Sequence, residues 1–314
     1  SRGNFGLVWV QGKGLNAPGY ARWSQKSAAA WSDFAAELSD ATSFDLGLEQ
    51  RGGYDLHFSE ESLEATVAQY EGLKAELGGD YPFEILGHNR LRREEPAIGP
   101  KVAGAILHHQ DGHANPLKLL RALADDVRRL GGVILNGKHV ADVTKTDLFC
   151  ITCADGTEVR AQKTVLSAGL GAMTLGPKLG FKAPIRPQRG QVLITEKLPK
   201  LINRPSLIAR QVDEGGIQIG ATNEEVGPDD HVTQPGLSGL AAEAIAAFPV
   251  LANTQLVRSW GALRILSPDG LPIYQQSTEM SGAYLVTCHS GITLAAAHAR
   301  FLPAWLEAAG DAPD

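Results

Sequence analysis

Two strand-like runs in this chain end in small residues and lead directly into helical patterns. The first is Thr164-Val165-Leu166, which enters Ser167-Ala168-Gly169. The second closes the chain, where "GAYLVTCHSGITLAAAHARFLPAWLEAA" predicts a strand, a Gly/Ser turn and a long helix. A buried strand that ends in small residues allows the backbone to approach a ligand closely. With the remaining strand and helix patterns, these runs predict an α/β or α+β protein with a large mixed sheet.

Other segments carry recognisable end signals. "SEESLEATVAQYEGLKAEL" predicts a helix with a capping box at Ser59 and Ser62. "PLKLLRALADDVRRLGG" predicts an amphipathic helix with Pro116 near its start, and "GLSGLAAEAIAAF" predicts another helix. "FDLGLEQRGGYDLHF" predicts two strands joined at Gly52-Gly53. Since no repeat or low-complexity linker separates these segments, we expect any two domains to be interwoven.

The opening stretch "NFGLVWVQGKGLNAPGYARW" matches G-x-G-x-x-A from Gly12 to Ala17. A dinucleotide-binding turn needs a helix that starts on the glycines, because the helix N-terminus carries the pyrophosphate. Here Pro18 and Gly19 follow at once, and the helical pattern begins near Tyr20. The acidic residue expected about 20 positions further on would fall inside that helix. We therefore interpret the match as a chance one in a Gly-rich loop, which disfavours an NAD(P)-binding protein.

Composition excludes several classes of function. A net charge of −6 without a basic block argues against a nucleic-acid partner. No apolar run approaches the ~18 residues that a membrane span needs, and we find no signal peptide. Three cysteines among 314 residues fit a reducing compartment, so we expect a cytoplasmic protein that reaches membranes only through partners. Because residue 1 is not Met, we expect a processed or trimmed product.

Metal binding is not predicted. Cys150 and Cys153 form a C-x-x-C motif, but residues i and i+3 of a strand point to opposite faces. His108 and His109 likewise lie on opposite faces of a predicted strand, and no cysteine or acidic pattern completes a zinc site with His113. We expect the cysteines, His108 and His109 to be structural, whereas for His113 a structural role and contact with a ligand both remain open.

Several motifs, taken in order, resemble one family. They are "SRGNFGLV", "DGHANPLKLLRAL", "VLSAGLGA", "PQRGQVLIT", "WGALRILSPDGLPI" and "HSGITLAAAHA". Over essentially its whole length the chain resembles the FAD-dependent amino-acid oxidase superfamily, the group of D-amino acid, glycine and sarcosine oxidases. Within it, "NFGLVWVQGKG" and "CHSGITLAAAHA" resemble the catalytic subunits of opine and D-hydroxyproline dehydrogenases and of hydrogen cyanide synthase.

The resemblance implies two interleaved domains. These are a Rossmann-like FAD-binding domain over 1–45, 112–184 and 258–314, and a mixed-sheet substrate-binding domain over 46–111 and 185–257. In the family, the first strand, the true G-x-G-x-x-G and the ribose-binding acid lie upstream of the loop that matches Ser1 to Gly6. We therefore expect this chain to lack the first βαβ unit, at least about 30 residues. Its ability to bind FAD without that unit is left open.

The resemblance also implies a set of cofactor contacts. Asn4, Gly6 and Leu7 would line the isoalloxazine, within the loop that begins at Ser1 and Arg2. Val140 would contact the adenine side, and Ala168 and Gly169 the pyrophosphate or ribityl chain. At the start of the last helix, His289 and Ser290 flank the flavin site, and three residues would offer N–H groups to the pyrimidine edge, namely Gly291, Ile292 and Thr293. No cysteine matches the covalent attachment point of sarcosine oxidases, so we expect non-covalent FAD.

For the substrate, the resemblance gives Arg264 as the carboxylate-binding residue, a task that suits a bidentate guanidinium. Tyr54 is a weaker candidate for the substrate pocket, and a core tyrosine is the alternative. The implied reaction moves a hydride from the Cα–H of a D-amino or imino acid to flavin N5 and yields an imine. No dedicated base is required, because orientation by the carboxylate does most of the work.

Two functions from different classes remain at this point. One is the FAD-dependent oxidoreductase, and the other is a non-catalytic or inactive subunit of a heteromeric dehydrogenase complex. Relatives in the suspected subgroup work with partner subunits that pass electrons on, so partner subunits are expected. An exposed sheet edge would also invite pairing with a second copy, which makes a homodimer a further expectation.

Overall fold

The computed structural model describes residues 3–308. Their helices are, in chain order, α1 (Pro18–Thr42), α2 (Glu60–Glu76), α3 (His88–Glu94), α4 (Pro116–Arg129), α5 (Ala172–Leu175), α6 (Gln234–Ala247) and α7 (Ala295–Ala308). None of the helices in this range is long and apolar enough to cross a bilayer.

Strands fall into five groups within the described residues. Strand β1 (Leu7–Val8) pairs with β5 (Gly112–His113). One three-stranded sheet has the order β2 (Gly53–His57), β4 (Gly104–His108), β3 (Glu84–Gly87), and a second the order β6 (Val140–Lys145), β7 (Phe149–Cys153), β8 (Glu158–Ala161). The four-stranded sheet runs β11 (Ala209–Gln211), β12 (Gly216–Gly220), β10 (Arg186–Lys197), β13 (Leu256–Leu266). The last has the order β14 (Ile273–Gln276), β15 (Ala283–Thr287), β9 (Thr164–Leu166).

The parallel pair β9–β15 lies at the strand-to-helix junctions predicted from sequence. Leu166 pairs with Leu285, so the two strands end close together. Strand β14 runs antiparallel to β15, and this is the mixed sheet of the described part of the chain. The α/β prediction is confirmed, although the strands are divided among several small sheets rather than gathered in one large sheet.

Local signals account for several helix ends. Ser59 caps α2 by accepting a hydrogen bond from the N–H of Ser62 at 3.1 Å, as the capping box predicts. Asn115 caps α4 through the N–H groups of Leu117 and Lys118. Helix α1 ends where Ser43 adopts a left-handed conformation.

Two local predictions need correction. The segment before Gly52 contributes a single bridge, between Glu49 and His113, rather than a strand paired with β2. The reason is a turn in which the Asp45 side chain accepts from the N–H of Gly47, whose positive φ interrupts extended backbone. The final helix also begins at Ala295, two residues beyond the turn on which it was expected to start.

Three larger apolar cores lie between these elements. The first joins α1, α2, α4 and the turn before α7, with Trp31 fully buried at its centre. A second lies under β2, β4, β10, β12 and α6, and a third under β6, β7, β9 and β15. Since residues of α2 belong to the first core, the predicted substrate-binding segment 46–111 contributes to two cores. The division into two domains stays a prediction.

Candidate active site

The turn before α7 is fastened to the beginning of the chain. Thr293 is buried, and its hydroxyl accepts a hydrogen bond from the N–H of Trp9 at 3.2 Å and donates to the carbonyl of Leu7 at 3.3 Å. From the other side, the indole of Trp31 donates to the carbonyls of Ile292 and Thr293, both at 3.1 Å. Two motifs that lie nearly 300 residues apart in sequence therefore form one unit.

This turn leaves backbone donors free. Within residues 3–308, the N–H groups of Gly291, Ile292 and Thr293 meet no acceptor. A methyl group added at Gly291 would have no atom within 4 Å, so open space adjoins the turn. Free N–H groups close to a helix start favour negative charge, which fits the edge of a flavin. The residues present thus fit the cofactor that the sequence motifs imply.

The loop that precedes β1 is stabilised by a hydrogen bond within it and by close contacts with Ala114 and Arg210. The Asn4 side chain accepts from the N–H of Gly6 at 2.7 Å, and Gly6 has a φ of +93°. A methyl group at Gly6 would lie 2.6 Å from the carbonyl oxygen of Ala114 and 2.7 Å from the Arg210 guanidinium. Only glycine fits this position without strain.

Arg210 is a buried cation that sequence reasoning missed. Its guanidinium donates to the carbonyl of Phe5, to the side chain of Gln218 at 2.7 Å, and meets His113 Nδ1 at 3.0 Å. No described carboxylate lies within ion-pair distance, and burial lowers the pKa of Arg210 to about 10. Burial, followed by the positive charge of Arg210, lowers the pKa of His113 to about 3, so this imidazole is neutral.

Arg264 lies on β13 opposite Gln188 of β10. Its Nη1 donates to the carbonyl of Thr222 at 2.6 Å and, more weakly, to the carbonyl of Arg189 at 3.3 Å. The guanidinium covers Gly190, since a methyl group there would lie 2.7 Å from Arg264 Cζ. No carboxylate among the described residues is within ion-pair distance, and partial burial lowers the pKa of Arg264. The group stays charged, and the Glu224 carboxylate acts on it only from beyond ion-pair distance.

A cleft of about 430 Å³ opens beside the turn. It is lined by the Gly12–Ala17 loop, Tyr20, the Asp269–Leu271 turn, His289 and Ser290. A smaller recess next to it shares His289 and Leu271 with the cleft and includes Ile265, the neighbour of Arg264 on β13. Partial burial, followed by the positive charges of Lys13 and Arg264, lowers the pKa of His289 to about 4. The Gly-rich match at Gly12–Ala17 therefore lines a cleft close to the motif residues.

The remaining predicted residues lie elsewhere. Ala168 is exposed just beyond β9. The next residue, Gly169, has a φ of +59°, and a methyl group added there would lie 3.1 Å from the Ile265 side chain. Val140 begins the edge strand β6 and packs against the third core. Tyr54 is buried in the second core, where its hydroxyl donates to Glu94 at 3.2 Å and accepts from Arg204. Ser1 and Arg2 lie outside the described residues.

The structure thus brings Asn4, Gly6 and Leu7 together with the turn at 291–293, and places Tyr54 away from the cleft lining.

Residues 1–305 match the family described as FAD dependent oxidoreductase, or DAO. The chain belongs to this family. FAD is the cofactor of the FAD dependent oxidoreductases, in agreement with the open, donor-rich turn described above.

Individual relatives are consistent with this membership. An opine oxidase subunit of Rhizobium meliloti is 41% identical over 301 residues, which cover 95% of this chain and 81% of that protein. The hydrogen cyanide synthase subunit HcnC of Pseudomonas aeruginosa is 29% identical over 281 residues, 86% of this chain and 66% of that protein. The crystal structure of glycine oxidase from Geobacillus kaustophilus superposes with a TM-score of 0.92 at 23% identity, covering 100% of this chain and 86% of that one. At that identity the superposition shows the fold of a DAO oxidoreductase.

Proposed function

We propose that this chain oxidises an amino or imino acid, with Arg264 holding the substrate carboxylate. The observation that carries this proposal is a half-buried guanidinium with no described carboxylate within ion-pair distance. It acts electrostatically on His289, which directly precedes the turn that offers free N–H groups. A desolvated arginine that lacks an anion favours binding of a carboxylate from outside. The amino-acid-like substrates in the names of opine oxidase and glycine oxidase support the same class of substrate.

Each group has one task in the proposed reaction. Bound FAD would supply a hydride acceptor for the Cα–H bond of the neutral amine, so that the substrate leaves as an iminium ion, which gives its proton to water to form the imine. Arg264 fixes the carboxylate and thereby the direction of the Cα–H bond, and such orientation alone contributes several orders of magnitude in rate. The N–H groups of Gly291 to Thr293 would stabilise negative charge that develops beside them. Since the substrate amine needs only to be neutral, the scheme assigns no basic side chain.

The names of the relatives also support an electron-accepting partner. The opine oxidase protein and HcnC are both called subunits, so we propose that a partner subunit takes electrons from this chain. Under this proposal, the reduced protein passes electrons slowly to oxygen and rapidly to an artificial acceptor. A reduced protein that oxygen reoxidises as fast as such an acceptor contradicts this arrangement.

The test of the oxidase proposal is reduction of the FAD-loaded protein by candidate amino and imino acids in the absence of oxygen. Loss of the visible flavin bands on mixing supports the function. Arg264→Gln should weaken the substrate response by about 100-fold or more, while Arg258→Gln, an exposed change on the same strand, should not. If the loaded protein stays oxidised with every candidate, the chain is an inactive subunit and the proposal falls.

A further inference from the structure

Arg210 lies on the face of the four-stranded sheet that turns away from the second core. Paired residues of neighbouring strands share a face, and Arg210 pairs with Gln218 on β12. The register continues through β10 to β13 and places Arg264 on this face as well. Ala209 and Ile219, which pair with each other, face the second core instead. The face that carries Arg264 therefore holds another cation, which the proposed reaction does not use.

The loop before β1 crosses this face. The indole of Trp260 donates to the carbonyl of Gly3 at 3.4 Å, and a methyl group added at Gly3 would clash with the side chain of Ala262. Both contacts belong to the face defined above. Further along the loop, Arg210 Nε donates to the carbonyl of Phe5. The loop is therefore held between β13 and Arg210.

Arg210 also contacts the strand that pairs with β1. His113 of β5 lies opposite Leu7, and its Nδ1 meets Arg210 Nη1 at 3.0 Å. Because the guanidinium can only donate, Nδ1 accepts this bond and the proton of the neutral ring is on Nε2. The next residue of β5, Ala114, donates its N–H to the carbonyl of Gly6 at 2.9 Å. One guanidinium thus fastens the two segments that flank Gly6 and Leu7.

The charge of Arg210 has no counter-ion in contact with it among the described residues. Its partners are a backbone carbonyl, a neutral imidazole and the side-chain amide oxygen of Gln218. Three carboxylates act on it only from beyond ion-pair distance, those of Asp213, Glu214 and Glu49. Arg210 is 2% exposed, so water does not replace them. A neutral donor could bind the same carbonyl at a lower desolvation cost, whereas a buried lone cation favours negative charge nearby.

We propose that Arg210 is a positioning residue for FAD, and that its buried positive charge favours the reduced, negatively charged form of the cofactor. It acts through the loop that it holds and through a field that little water screens. The inference rests on the proposed function and on the flavin contacts implied for Gly6 and Leu7. The carbonyl of Leu7 also accepts from the hydroxyl of Thr293, so the loop that Arg210 holds is continuous with the donor-rich turn.

The reduction equilibrium of bound FAD tests the charge directly. The FAD-loaded parent and variants are equilibrated with a reference redox dye in the absence of oxygen and of any amine, and FAD affinity is measured separately. Arg210→Gln should lower the equilibrium constant for reduction at least about tenfold, which is a shift of about 30 mV for a two-electron couple. Arg210→Lys keeps the charge and should stay within about threefold of the parent. Arg258→Gln removes an exposed charge from the same sheet face and should stay within the same limit.

Gln218→Glu provides a second test that leaves Arg210 in place. The side-chain oxygen of Gln218 accepts from Arg210 Nη2 at 2.7 Å, so glutamate keeps this contact and supplies the missing counter-charge. We expect the equilibrium constant for reduction to fall as it does in Arg210→Gln. Gln69→Glu, an exposed change on α2, is the matched control and should leave the constant unaltered.

A constant within about threefold of the parent in Arg210→Gln or in Gln218→Glu overturns the proposal. So does an Arg210→Lys variant that falls as far as Arg210→Gln, because the effect would then come from shape and not from charge. If Arg210→Gln retains no FAD, Gln218→Glu decides. The expected shift in a protein that oxidises no amine would sink the proposed function alone, and a parent protein that cannot be loaded with FAD would overturn both.

Discussion

The hydroxyl of Thr293 lies 3.3 Å from the carbonyl oxygen of Leu7 and joins the turn before α7 to the first strand. The N–H of Trp9 donates to the same hydroxyl, so this side chain satisfies two backbone groups that are shielded from water. Both flavin-contact segments implied by the motifs depend on it. This side chain therefore helps to set the relative position of the two segments, together with the bond from Lys13 to Ser290.

Replacing Thr293 by valine keeps the shape of the side chain and removes both hydrogen bonds. We expect the free energy of unfolding to fall by about 1–3 kcal/mol, because a buried donor and acceptor lose their partner. Thr293→Ser should retain most of the stability. Urea unfolding of the three proteins, followed by FAD titration, checks this, and a valine variant as stable as the parent would contradict it.

Gly291 and Gly6 should respond differently to alanine. Open space at Gly291 predicts a change of less than about 0.5 kcal/mol in the stability of the FAD-free protein, with FAD affinity about tenfold lower. Gly6→Ala, with its positive φ and two close contacts, should lower stability itself by about 1–3 kcal/mol. Thermal unfolding without FAD and flavin titration separate the two effects. Unchanged FAD affinity in Gly291→Ala would remove this turn from the cofactor site.

Gly190 supports the proposed carboxylate-binding residue. A methyl group there would meet the Arg264 guanidinium at 2.7 Å and displace it from its acceptors. We predict that Gly190→Ala lowers kcat/KM about 10- to 100-fold, because small misplacements of a binding group are costly. The visible spectrum of bound FAD should not change. If activity survives intact, Arg264 either tolerates the shift or does not bind the substrate.

Glu95 should make stability depend on pH. It is fully buried, and its Oε2 accepts from the N–H of Asn203 at 2.8 Å, whereas Oε1 has no described partner. Burial raises the pKa of Glu95 to about 7 from 4.5. The folded state therefore binds more protons between these values, and stability falls as pH rises through this window, by up to about 3 kcal/mol.

Glu95→Gln should flatten this pH dependence, since the amide does not titrate in the window. Exposed Glu76→Gln should leave the dependence as it is in the parent. Urea unfolding near pH 5 and near pH 8 measures both variants. A slope that survives in Glu95→Gln assigns the effect to another group.

Local patterns predicted the elements better than the contacts between them. The caps of α2 and the Pro116 start of α4 follow from neighbouring residues, so sequence alone found them. The motif residues Leu7 and Thr293 were found through a family resemblance, and their contact required the structure. Arg210 gave no signal, because its burial depends on Phe5 and Gln218.

For the loop Gly12–Ala17, the local pattern did not reveal the role that the structure shows. The spacing of its glycines suggested a nucleotide-binding turn, and we interpreted it as a chance match because Pro18 and Gly19 follow. The structure corrects that reason, since α1 begins at Pro18, directly after the match. What sequence could not reveal was that Lys13 meets Ser290 from a distant segment and that the loop lines a cleft. A local sequence pattern cannot predict that a charged residue is buried by segments distant in sequence.

The bond between Lys13 and Ser290 spans 277 positions of the chain. During synthesis at about 5–20 residues per second, on the order of 15–60 s pass between the emergence of the two partners. Until the last strand and turn leave the ribosome, the nascent polypeptide has neither the cleft nor the donor-rich turn. We therefore expect FAD to bind only after these residues have emerged, and a stop codon shortly before residue 288 should release a product that has most of its elements and lacks the donor-rich turn.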